Sequence, residues 1–214
     1  MTAKRTHRLR NLLAMIGLTV AQGMAMTMTY DGTVPALFEN IDVKFDNQNT
    51  NIYSGQIGVR FDTGVTALLF CADPFIGLRL DTVEITPLAG NQVNQGERLA
   101  WMFNSYVPAM TQGWQAAAFQ LAAWDIVADG GDGLATGRIQ SASTTNSTIL
   151  AAASALVAAS QGKSDNTGIF YQPTAGPRYS QTLFEAADNP VPEPSTYLLM
   201  GVGLLALSQL RRRA

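Results

Sequence analysis

Cys71 is the sole cysteine among 214 residues, and it closes the apolar run Leu68-Leu69-Phe70-Cys71, followed by Ala72-Asp73-Pro74. A lone thiol has three uses: a small buried hydrophobe, half of an intermolecular disulfide, or a sulfur masked in another covalent bond. No disulfide can form within one chain. The sole histidine, His7, lies in the N-terminal leader, so the body beyond it has no imidazole. That removes Cys-His and Ser-His-Asp hydrolases and zinc or copper sites built from His and Cys. Calcium held by carboxylates and carbonyls stays open. Asp129-Gly130-Gly131-Asp132 could contribute, but it lacks the spacing of a known loop and reads more simply as a Gly-rich turn. No metal and no cofactor is expected. A second polar residue stands in an apolar setting, in Trp114-Gln-Ala-Ala-Ala-Phe-Gln-Leu-Ala-Ala-Trp-Asp125. Gln120 lies four residues before Trp124, so the two share a helix face. A half-buried glutamine there needs a hydrogen-bond partner. Gln115 sits in a similar pattern that ends in Phe119, and five residues of separation aim it elsewhere.

The elements that must hold these residues follow from periodicity. Ile41, Val43 and Phe45 alternate with polar residues, as do Ile57, Val59 and Phe61. Val65 to Cys71 is a continuous apolar run, the pattern of a strand buried on both faces. Thr82 to Thr86 is a short strand closed by Pro87. Leu99, Met102, Phe103 and Tyr106 define a helix face, and Pro108 ends that helix. An Ala-rich helix spans about Gln112 to Ala128 and stops at Gly130-Gly131. A third helix covers about Thr148 to Gln161, with Gly162 as its C-cap. Ile169 to Gln172 and Ser180 to Phe184 are closing strands. Strands, helices and strands again predict an α+β fold: a single β-rich domain with a helical insertion.

Both ends differ from this body. Lys4, Arg5, Arg8 and Arg10 precede an apolar stretch from Leu12 to about Val20, and Gly23-Met24-Ala25 offers a small-x-small exit. This is a secretory signal over residues 1–25, too short in its apolar core to span a bilayer. Residues 189–214 hold Pro192-Glu193-Pro194, an apolar segment from Tyr197 to Leu210, and Arg211-Arg212-Arg213. The prolines mark a linker. The apolar segment is just long enough for a transmembrane helix, and the arginines hold its end on the cytoplasmic side. Between them, 26–188 has the length of one domain with a real core. Seven basic and fifteen acidic residues leave that body near −8. Such a charge argues against nucleic acid as a partner.

The tail, from its Pro-Glu-Pro start to its arginines, resembles the PEP-CTERM sorting signal. The resemblance implies an exosortase-type membrane protease as partner and removal of the tail. It also implies a Gram-negative host that makes extracellular polysaccharide. The protein would be exported, held transiently at the inner membrane, and left at the cell surface or outside the cell. The Cys71 segment, followed by Phe119-Gln120-Leu121-Ala122-Ala123-Trp124, resembles the bacterial thioester (TQXA-type) domain. Arg98-Leu-Ala-Trp-Met-Phe-Asn-Ser-Tyr106 also looks like the helix that precedes the glutamine block. This resemblance covers roughly Phe70 to Asp132. It implies an intramolecular thioester between Cys71 and Gln120, with Gln115 as the alternative glutamine. Phe70, Asp73, Phe119 and Trp124 would form the supporting pocket. The expected role is covalent attachment, without turnover, to an amine- or hydroxyl-bearing surface, polysaccharide or protein target. The competing expectation is a noncovalent structural or biofilm-matrix protein that keeps the fold without the bond.

Overall fold

Residues 26–175 and 179–186 are described by the structure, a computed structural model. The alternating Ile57, Val59 and Phe61 form β4 (Ile57–Phe61), their side chains buried while Arg60 is exposed. β4 lies between β1 (Met26–Tyr30) and β5 (Thr66–Cys71), antiparallel to both. With β6 (Thr82–Ala89), β8 (Gly168–Pro173) and β9 (Leu183–Ala186), they close into a six-stranded barrel ordered β1-β4-β5-β9-β8-β6. β6 returns to β1.

β2 (Phe38–Phe45) and β3 (Gln48–Gly55) form a hairpin, joined on β2's other side by β7 (Ile139–Ser141). Asp46 and Asn47 make its two-residue turn, with φ of 47° and 66°. That is the left-handed pair a tight hairpin demands, and Asp and Asn tolerate it best after glycine.

Helices α1 (Gly96–Tyr106), α2 (Gly113–Asp129) and α3 (Ser147–Ala159) fall between β6 and β8, with β7 among them. The molecule is thus a mixed single domain whose helices interrupt a barrel. α2 is buried without a break from Ala116 to Ile126. An amphipathic stripe would leave one side wet; here the small alanines let β2, β3, β5 and α3 approach from different sides. Gly113 permits the closest approach, since a Cβ there would stand 2.4 Å from the Phe38 carbonyl oxygen. At the far end Gly130 takes the left-handed C-cap, φ 74°.

Several strand expectations need correction. Val65 is 58% exposed and only Leu69 to Cys71 are buried, because β9 pairs with Phe70 and Cys71 alone and the first half of β5 has β4 as its one neighbour. β6 runs through Pro87 to Ala89. Pro87 pairs with Tyr171 where no ladder N–H is required of it. Ser180, Gln181 and Thr182 precede the last strand instead of forming it. β1, β3 and β7 were not foreseen. The signal peptide and the transmembrane tail expected from the sequence fall on residues outside those described. Among the described residues no helix is long and apolar enough to cross a membrane.

Candidate functional site

Strand β5 ends on Cys71, and α2 crosses that end. The residues just before the two polar groups set the spacing: Phe70 and Phe119 meet with ring centroids 4.4 Å apart. Phe103 of α1 and Phe184 of β9 pack around them at 6.0–6.3 Å. With these rings in place, the Gln120 side chain lies against the Cys71 backbone. Gln120 Oε1 accepts from Cys71 N–H at 2.8 Å, and Gln120 Nε2 donates to the Cys71 carbonyl at 2.7 Å. The amide therefore pairs with β5 as a residue of a neighbouring strand would. Gln120 is fully buried, beyond the half-burial expected, and both ends of its amide are satisfied.

The thiol has other partners. Cys71 Sγ touches Gln181 Oε1, lies 3.0 Å from the Asp73 carbonyl and accepts from Asp73 N–H at 3.3 Å. Its single proton can go to Gln181 or to the Asp73 carbonyl. Burial pushes the thiol up to about 12; the Trp124 indole and the Asp73 N–H pull the other way, and the Asp73 charge adds to the rise. Trp124 is itself buried, walled by Phe45 at 5.6 Å, and its Nε1–H has no hydrogen-bond acceptor of good geometry. It is close enough to favour a thiolate yet donates to nothing.

A cavity of about 300 Å³ opens onto Cys71, Gln120, Trp124 and Gln181. Tyr30, Tyr53 and Leu80 stand on its wall, each more than a third exposed, and no charged residue lines it. Phe38 stacks on Tyr53 at 4.3 Å beside it.

The other residues singled out fall as follows. Phe70 and Phe119 are core. Asp73 serves the thiol through its backbone, while its carboxylate accepts from Phe75 N–H at 3.1 Å and shapes the turn. Gln115 does not meet Cys71. Its Oε1 accepts from Thr111 and Gln112 N–H at 2.8 and 3.0 Å, capping the start of α2. Gln181 was missed by the sequence reading. No motif marks Ser180-Gln181-Thr182, and only the β5–β9 pairing brings it to the thiol, through Cys71 opposite Leu183 and Ala72 N–H on the Thr182 carbonyl at 2.8 Å. Carboxylate oxygens of Asp125, Asp129 and Asp132 also come within 4.8 Å of one another at the C-terminal end of α2.

The arrangement sets an amide carbonyl, polarised by a backbone N–H, beside the residue that carries the thiol. Such a donor is the kind that stabilises an oxyanion during acyl transfer.

Pro192, Glu193, Pro194 and Arg211 to Arg213 lie outside the described residues. A family model for the PEP-CTERM protein-sorting motif matches residues 190–213. No curated protein and no solved structure matches the chain. A motif of this kind is recognised by an exosortase, a membrane protease. It marks a protein that is exported, processed while transiently at the membrane, and left at the cell surface or in the extracellular space.

Proposed function

We propose that this exported, exosortase-processed protein carries an internal thioester between Cys71 and Gln120 and uses it to attach covalently to an amine- or hydroxyl-bearing target. The observation that carries the reading is the pairing of the buried Gln120 amide with the Cys71 backbone at the floor of an uncharged cavity. In the step proposed, the thiol turns from Gln181 toward the Gln120 amide carbon and adds to it. The Cys71 N–H supports the oxygen, the carbon–nitrogen bond breaks, the thiol proton passes to the departing nitrogen, and ammonia leaves. An incoming amine or hydroxyl then takes the acyl group, and the sulfur departs with the nucleophile's proton. Nothing is oxidised or reduced. The chemistry occurs once per molecule and the protein is not an enzyme in this reading.

A raised thiol suits storage. A sulfur that ionises reluctantly leaves slowly, so the bond persists until a target enters and changes the surroundings. The uncharged wall excludes water better than it binds ions.

A second reading has its own observation. Every polar group of the Cys71–Gln120 pair already has a partner, so the same contacts could serve a noncovalent matrix protein, with Gln120 fastening α2 to β5.

Methylamine separates the two. In the first reading it adds to Gln120 and frees the Cys71 thiol, one adduct per thiol. Cys71→Ala abolishes the adduct while preserving the backbone partners of Gln120. Gln115→Ala leaves the adduct intact, because Gln115 caps the helix. Wild-type protein that takes up no amine and exposes its thiol only on unfolding is the second reading's result.

A further inference from the structure

We propose that Asp125, Asp129 and Asp132 form a calcium site that locks the C-terminal end of α2 to the loop leading into β7. Their ligand oxygens lie within 4.8 Å of one another, the distance across a Ca²⁺ ion with oxygens at roughly 2.4 Å. A cluster of exposed acids would carry little weight, but Asp125 is fully buried and its Oδ1 has no hydrogen-bond partner. Its Oδ2 accepts only a 3.3 Å bond from Gly133 N–H. An ionised oxygen sealed from water without a donor is strongly unfavourable unless a cation meets it.

The charges of Arg98 and Arg138 are felt by Asp125 and Asp129, but neither arginine gives a hydrogen bond from its side chain to the cluster. Arg98 donates to the Gly130 and Val157 carbonyls and to Ser160 Oγ at 2.8–3.0 Å. Arg138 pairs with Asp46. Asp129 Oδ2 accepts from the backbone N–H groups of Arg138 and Ile139, at 3.0 and 2.9 Å, which fixes its carboxylate in the cluster. The helix adds to the negative potential, since α2 ends there and carries a partial negative charge at its C-terminus. Gly137 keeps the space open: a Cβ on it would stand 2.9–3.0 Å from the carboxylates of Asp129 and Asp132. The oxygen-only donors and the flexible Gly-rich loop suit Ca²⁺ better than Mg²⁺, which demands a tighter octahedron. This reverses the sequence expectation of no metal. Asp129 and Asp132 were visible as a Gly-rich turn, but Asp125 was not visibly its third member. The inference stands independently of the thioester.

The test uses the processed protein stripped with EDTA and titrated with CaCl₂, read by calorimetry and thermal unfolding. Binding in the range of about 10⁻⁴–10⁻³ M is expected, as for extracellular sites. Saturating Ca²⁺ should raise Tm by about 3 °C or more, with Mg²⁺ at equal concentration giving less than half of that. Asp132→Asn, an exposed change that leaves the fold alone, should weaken binding at least about tenfold. Asp125→Asn should abolish the Ca²⁺ response and raise Tm in EDTA, because it removes the unpartnered buried charge. Absence of Ca²⁺ heat and Tm shift in the wild type overturns the proposal. So does a shift that survives both substitutions.

Discussion

At the residue scale, the thiol's surroundings make a testable statement about pH. Gln120→Ala forecloses the thioester and leaves Cys71 free. Burial raises the folded thiol from its ordinary 9.0 to about 12. Below pH 9 both folded and unfolded thiols hold their protons, so the stability is fully present there. Between 9 and about 12 only the unfolded thiol ionises, and stability is lost by about 1.4 kcal/mol per pH unit. Denaturant titrations of Gln120→Ala against Cys71→Ala/Gln120→Ala should therefore diverge above pH 9 with that slope; parallel curves would contradict the assigned burial. Alkylation of the same free thiol at pH 8 should be roughly 10³-fold slower in the folded protein than in urea. Gln181 acts on the sulfur alone. Gln181→Leu should leave Gln120 paired and change the rate at which the thiol reacts, measured by iodoacetamide labelling in the Gln120→Ala background.

At the element scale, α2 organises the site. Gly113→Ala ought by helix propensity to stabilise, since alanine outranks glycine by about 1 kcal/mol. The Phe38 carbonyl at 2.4 Å from the added carbon reverses the sign. A loss of about 1–3 kcal/mol is expected by chemical denaturation, and a gain would mean that β2 is not held against the helix start. Phe119→Ala should cost about 3–5 kcal/mol, because it empties the centre of the Phe70–Phe103–Phe184 cluster. The helices were legible because alanine, leucine and the stops at Pro108 and Gly130 speak locally. β3 was not, because Gln48 to Asn51 are polar and exposed, and only their ladder with β2 makes them a strand. β1 was overlooked because Met26 to Tyr30 directly follows the expected cleavage point, with no turn signal to set it off. Gln120 was visible from its apolar neighbours. Gln181 was not, because its proximity arises from strand pairing across more than a hundred residues.

At the whole-molecule scale, the matched sorting motif and the domain make separate claims. Replacing Arg211, Arg212 and Arg213 by neutral residues should impair tail retention and processing, seen as a change in size or location on fractionation; unchanged mature protein would count against the sorting role of that cluster. Whether the domain is sealed by a covalent bond is decided on the intact molecule. The most direct measurement is the mass of the processed wild-type protein under mild, amine-free conditions, followed by peptide mapping. A thioester gives a mass one ammonia below that calculated for the processed chain, with the Cys71 and Gln120 peptides linked and no free thiol. Full mass, with Cys71 recovered as a thiol after unfolding and Gln120 as an ordinary glutamine, would contradict it.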